Sequence, residues 1–372
     1  MVGLCSRKGR CPMQEMTMRQ RMLAAIEGRP ADRVPFVQYD GLAAPSEEIW
    51  SVIGRNNMGL IRWSGVHRCE HPNCRIDSEE IHRDGRRGIH NTLYTPEGNL
   101  FEERFYEPAY GSTAAAVHYV KEPGDYRALM ALMRDTEVHV DTSVFDQQIR
   151  ELGEDGLPMV AVERTPFQQL WIQWVCLEDF CLHMADEPGL MEEVLSLLVA
   201  RQRKVFAAVR RAADRVDIPY VDFPDNVTAP VIGEVNFRKY NVPLYNELAD
   251  MLADKGIPVF VHMDGDLKPL WRAIGESKIR GLDSLSPQPD NDTGVGQAAA
   301  MWPRMRLFLN FPSSVHLARA EVIYNHARRM LQEAGHTGRM QIQISENVPS
   351  GEWRKSFPQI VRAIEEFGPP GD

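Results

Sequence analysis

The sequence predicts an α/β fold, a (β/α)8 barrel, and three observations predict it. From residue 123 onward, short apolar runs alternate with helical stretches, the pattern of parallel strands joined by crossover helices. About eight such strands fit the 372 residues, a length that suits one large barrel or two ordinary domains. No Gly-x-Gly-x-x-Gly follows any strand, which argues against an open dinucleotide-binding sheet.

The elements follow in order. Residues 1–15 read as a loose leader, basic at Arg7, Lys8 and Arg10 but without the apolar core of a signal peptide. Residues 17–27 have helical spacing, with Thr17 as cap and Gly28-Arg29-Pro30 as stop. A strand over 34–38 and another near 58–63 begin the barrel. Residues 89–121 read as a hairpin excursion, with arms at 92–106 and 114–120 and a turn at Thr95-Pro96-Glu97-Gly98-Asn99. Pro123 and Asp125 open a helix. Strands are then expected at 159–162, 219–223, 258–262, 281–285, 306–310 and 340–344. Helices at 188–213, 236–254, 268–276, 293–300, 318–335 and 354–366 separate or follow them. Residues 16–372 thus form a single barrel domain, the 89–121 hairpin being an insertion.

Composition excludes several classes of function. An apolar content of 43% is ample for a core, and a net charge of −10 offers no basic face to nucleic acid or an anionic membrane. No window approaches the roughly 20 apolar residues of a membrane span. Without an export signal, the six cysteines are expected as thiols in a reducing, cytoplasmic setting. His67-Arg68-Cys69-Glu70-His71-Pro72-Asn73-Cys74 has metal-binding residue types, but its spacing fits no common zinc pattern, and it reads as a plain loop. Cys176 and Cys181 read as core thiols in a Trp-rich helical region.

In a barrel, chemistry belongs at the C-terminal strand ends, and here those ends are polar. The richest is Pro258-Val259-Phe260-Val261-His262-Met263-Asp264. In an extended chain residues i and i+2 point the same way, so His262 and Asp264 converge just past the strand. Met340-Gln341-Ile342-Gln343-Ile344-Ser345-Glu346 repeats the layout, bringing a second carboxylate. Imidazole and carboxylates offered to one space suit a metal or an acid–base site. The other ends supply Tyr39, Asp40, Glu163, Arg164, Asp222, Asp225, Asn226, Asp283 and Asn310. Tyr39, Glu163, Arg164 and Asp222 are the candidate catalytic residues, and Trp171, Trp174 and Asn310 the candidate substrate contacts.

These pieces, in order, resemble the uroporphyrinogen decarboxylase superfamily, which includes the cobalamin-dependent methyltransferases. The helix from Thr17 and the turn Gly28-Arg29-Pro30-Ala31-Asp32-Arg33-Val34-Pro35 resemble the family's opening "G-x-x-x-D-R-x-P" segment. Thr95-Pro96-x-Gly98, then Val120-Lys121-Glu122-Pro123-Gly124-Asp125-Tyr126, resemble its hairpin and following helix. His262-x-Asp264-Gly265 and Ser345-Glu346-Asn347-x-Pro349 fall where the family has its last active-site segments. The family fold is the barrel already read from the strands.

The departures point to the methyltransferase, O-demethylase-like branch. The loop Gln38-Tyr39-Asp40-Gly41-Leu42-Ala43-Ala44-Pro45 lacks the arginines with which true decarboxylases grip porphyrinogen carboxylates. Thiol-methylating members bind zinc through His-x-Cys and a distant Cys. The corresponding positions resemble His262, Asp264 and Glu346, a harder donor set for Zn²⁺ or another divalent ion. The resemblance thus implies an enzyme that demethylates a small O-methyl or N-methyl substrate and passes the methyl to a corrinoid carried by a partner protein. Relatives of this fold pair as dimers, so a homodimer is an expected state. Two other readings stay open: a corrinoid-independent, metal-assisted decarboxylase or lyase of a small acid, anchored by Arg164, and a catalytically silent barrel that binds a small molecule.

Overall fold

A computed structural model of the chain describes residues 15–107 and 112–370. Apart from Glu15, the expected leader lies outside the described residues. Among the described residues fourteen strands follow in chain order: β1 (Phe36–Tyr39), β2 (Gly59–Ser64), β3 (His67–Glu70), β4 (Arg75–Arg83), β5 (Arg86–Thr95), β6 (Gly98–Tyr106) and β7 (Thr113–Val117), then β8 (Glu137–Val140), β9 (Gly156–Ala161), β10 (Val221–Phe223), β11 (Val259–His262), β12 (Gly281–Leu285), β13 (Arg306–Asn310) and β14 (Met340–Ile344). β1, β2 and the last six form a closed, all-parallel barrel in which β1 pairs with both β14 and β2. Every strand expected in the barrel is present.

Closure follows from apolar strands buried on both faces, which must lie between an interior and a ring of helices. The interior is one layer of Val37, Ile61, Met159, Tyr220, Phe260 and Phe308. Gly281 makes room for it: a Cβ there would lie 2.3 Å from the Phe260 ring. The helix Met18–Glu27 plugs the lower end with Met18, Met22, Ala25 and Ile26. A capping box from Thr17 and Gln20 starts this helix. The fully buried Arg21 anchors it through two 2.7 Å bonds to Asp32 and one of 3.0 Å to the Asn56 carbonyl. That is the structural role of the aspartate in the Gly28–Pro35 turn.

Two segments differ from the sequence expectation. The excursion is a four-stranded antiparallel sheet, β4 to β7, that begins at Arg75 rather than near 89. β4 escapes a pattern search because it is exposed and charged along almost its whole length. The segment read as a plain loop contains β3, which pairs antiparallel with β8. Among the described residues, no helix is long and apolar enough to cross a membrane.

Candidate functional site

Two residues above the apolar layer, the same alternation places a polar layer. His262 follows Phe260, Asp222 follows Tyr220, Tyr39 follows Val37 and Asn310 follows Phe308. Strand register then aligns His262 with Asp283 on the neighbouring strand. The His262 Nδ1 lies 3.1 Å from Asp283 Oδ2 and 3.2 Å from the Tyr39 hydroxyl, which also donates to Asp283. Gln343 donates to the other Asp283 oxygen at 3.0 Å. The Nε2 faces the opposite way, 3.7 Å from Asp264 Oδ2 and 3.6 Å from Glu346 Oε1. Burial alone would lower the His262 pKa, but Asp264, Asp283 and Glu346 around the ring hold it well above the ordinary value.

Nε2 and its two carboxylate neighbours stand too far apart for direct hydrogen bonds and close enough to share an ion. One donor atom from each of His262, Asp264 and Glu346 lies within 4.8 Å of the others. Tetrahedral ligands at zinc-like bond lengths are about 3.4 Å apart, so the gaps match a small divalent cation. A histidine whose far nitrogen is held by a carboxylate is the usual support of such a centre. The donor set and its spacing therefore fit a metal.

Each carboxylate is braced. Asp264 accepts from Asn226 Nδ2 at 2.7 Å, and Asn226 in turn accepts from Arg164 at 2.8 Å. Burial would raise the Asp264 pKa, but His262 and Asn226 bring it below the usual carboxylate value. Glu346 accepts from Ser284 at 3.2 Å, and its backbone N–H donates to Asn310 Oδ1 at 3.2 Å. Glu163, Asn226 and Ser284, each close to a strand end, have φ of 70°, 51° and 57°. Non-glycine residues enter this left-handed region at a cost of about 1 kcal/mol or more, typically where function fixes the backbone.

The other sequence candidates are placed as follows. Asp222 is wholly buried, and neither of its oxygens makes a hydrogen bond with the described residues. Burial first, then the charge of Asp283, raises its pKa well above the carboxylate range. Arg164 is half-buried and donates to Asn226, and desolvation lowers its pKa. Glu163 holds Arg201 through both oxygens, one at 2.9 Å, and β3 brings Cys69 and His67 beside it. That group includes possible ligand atoms, but the guanidinium already neutralises its carboxylate. Trp171 donates to Gln168 at 2.9 Å, and Trp174 packs on Tyr119. The indole nearest the metal-type cluster is one that the sequence reading missed: Trp63, 40% exposed, with its ring 5.4 Å from Tyr39 and 6.4 Å from His262. Its place in β2, two residues after the interior Ile61, was the available signal.

A cavity of 470 Å³ opens beside the cluster, lined by Asp264 and Glu346 together with Asn310, Ser286, Asn291 and Ser313. Neither Trp171 nor Trp174 lines it.

Comparison with known proteins supplies independent findings. Residues 149–344 match the family described as uroporphyrinogen decarboxylase (URO-D). No curated protein matches the chain. Among solved structures, a methyltransferase from Methanosarcina mazei aligns with a TM-score of 0.56 and 13% identity, covering 95% of this chain and 99% of that one. That likeness is one of fold. A B12-independent methionine synthase from Shewanella sp. W3-18-1 aligns at a TM-score of 0.43 and 9% identity, over 86% of this chain and 84% of that one.

Proposed function

This chain belongs to the uroporphyrinogen decarboxylase family, and within it we propose a metal-dependent methyltransferase that demethylates a small O-methyl or N-methyl compound. The methyl acceptor is the cobalt of a corrinoid carried by a separate protein. One observation carries the reading: an imidazole fixed from behind by Asp283 presents Nε2 to Asp264 and Glu346 at 3.7 and 3.6 Å. The fold shared with the Methanosarcina methyltransferase supports it.

His262, Asp264 and Glu346 would hold Zn²⁺ or another divalent ion, which would supply Lewis acidity toward a substrate oxygen or nitrogen. The chain's own residues prepare that chemistry. With an ion in place of the Nε2 proton, Asp283 and Tyr39 would keep the remaining His262 proton on Nδ1, so that Nε2 would be the ligand. Arg164, through Asn226, braces the Asp264 carboxylate, and Ser284 braces that of Glu346 while Asn310 holds the Glu346 backbone. For an ether, the bond from oxygen to methyl breaks, its electron pair stays on oxygen, and that oxygen takes up a proton. Asp222, whose pKa burial and then the charge of Asp283 raise, is the residue of the polar layer to which this reading assigns the supply of that proton.

The test is methyl transfer to cob(I)alamin followed by absorbance, with and without added zinc. Expected is zinc-dependent formation of methylcobalamin, falling at least 100-fold in His262→Ala and Glu346→Ala, the scale on which a catalytic ligand acts. Full activity in both variants would place the chemistry elsewhere.

A further inference from the structure

The cavity beside Asp264 and Glu346 carries information about the substrate that the metal-type cluster does not. Asn310 is 1% exposed, and its orientation is fixed because Oδ1 accepts from the backbone N–H groups of Ser345 at 3.1 Å and Glu346 at 3.2 Å. Its Nδ2 is the buried end left without a partner among the described residues, in a side chain that belongs to the cavity wall. A buried donor without a partner costs about 1–3 kcal/mol, so the group it awaits is a hydrogen-bond acceptor.

Three further features narrow the class. Asp264, Asp290 and Glu346 line the cavity, and among the described residues no lysine or arginine does, so away from the proposed cation a carboxylate or phosphate would meet only like charge. Asn291, also in the lining, spends its amide N–H groups on the carbonyls of Asp264 at 2.6 Å and Ser286 at 3.3 Å, so what it has left to offer is an acceptor oxygen. Ser313 adds a hydroxyl for which no partner is recorded among the described residues. The apolar lining is Leu317 and Pro349; Trp63, the indole beside His262, is not part of it, so a planar substrate in this cavity has no ring in its wall to stack on. A simple alkylammonium ion cannot accept from Asn310, and an arene would leave these polar groups unpaired.

Resting on the methyltransferase reading, we propose that the methylated substrate is an O-methyl ether of a hydroxylated aliphatic compound, of the polyol or sugar class. Its hydroxyls pair with Asn310, Asn291 and Ser313 while the methoxy oxygen approaches Asp264 and Glu346. Such a site selects by hydrogen bonds: an analogue lacking the hydroxyls leaves protein groups unsatisfied and is rejected far more strongly than one lacking a methylene.

The experiment is calorimetric binding of four probes to the zinc-loaded and zinc-free protein: 3-O-methylglucose, an O-methylinositol, guaiacol and tetramethylammonium. Expected is binding of at least one polyol ether tenfold or more tighter than guaiacol or tetramethylammonium. Asn310→Asp keeps the acceptor for the backbone N–H groups and removes the donor. Ser313→Ala should weaken the polyol ether about tenfold without changing the thermal melt, the loss of one hydrogen bond, and Asn310→Asp should weaken it at least as much with its fold retained by circular dichroism. Tighter binding of guaiacol or tetramethylammonium, or no binding of either polyol ether, overturns the proposal. The same probes in the cob(I)alamin assay separate the two readings. Polyol binding without methyl transfer sinks the methyltransferase reading and leaves this one, and transfer from guaiacol without polyol binding does the reverse.

Discussion

His262 can serve a cation only through Nε2, and only while its proton stays on Nδ1. Asp283 decides that: its oxygen lies 3.1 Å from Nδ1, and its other oxygen is held by Gln343 at 3.0 Å. Asp283→Asn keeps the size of the side chain and removes the charge behind the ring. Partners of this kind are worth 10- to 100-fold in metal affinity. The variant should therefore bind zinc 10- to 100-fold more weakly in a competition titration with a chromophoric chelator, with its fold retained by circular dichroism. An unchanged affinity would show that Asp283 does not orient the ring toward a metal. That His262 and Asp264 lie side by side was legible in the sequence because one strand end sets i and i+2 together, and Glu346 because it stands at the end of a second such strand. The roles of Asp283 and Trp63 were not, because they depend on which residue of a neighbouring strand falls at the same level, and register is a property of the closed sheet.

The outer helices carry their own pH sensitivity. His316, in the turn Ser313–Leu317, and His326, in the helix Ala320–Ala334, pack against Phe311, and burial pushes each down to about 4. His316 is kept in place by a 2.7 Å bond between Nδ1 and Ser356 Oγ on the helix Trp353–Phe367. With the folded pKa depressed, the unfolded chain takes up protons that the native one refuses as pH falls below the ordinary 6.5. Stability is then fully present above that value and lost progressively down to about 4, by roughly 3 kcal/mol per histidine. Urea unfolding at pH 7 and pH 4.5 should show this loss in the native protein and about half of it in His326→Gln. An equal loss in both proteins would assign the acid sensitivity to other groups. The barrel strands were readable in advance because burial on both faces makes them continuous apolar runs. β3, β4 and β8 are short or solvent-facing, so their composition follows water rather than a core, and only pairing reveals them.

The whole molecule enters because the three proposed ligands exist as a set only when the barrel is closed. His262 and Asp264 stand at the end of β11 and Glu346 just past β14, and β12 and β13 lie between those strands in the ring. In the unfolded chain these residues are scattered, so an ion that takes all three binds the native state and not the unfolded one. Mass action then stabilises the fold by about 2.7 kcal/mol at a hundredfold excess over Kd. For a chain of 372 residues this corresponds to a Tm rise of about 3–4 °C. Zinc added to chelator-treated protein should produce that rise, and Glu346→Gln, which keeps the side chain's shape but gives up its charge, should remove most of it. The exposed group Glu70, Glu137 and His139 on β3 and β8 supplies the competing outcome, since zinc taken there would leave the shift untouched by any change at Glu346. A rise of equal size in native protein, Glu346→Gln and His262→Ala would therefore mean that the ends of β11 and β14 do not share a metal, and the demethylase reading would lose the centre on which it is built.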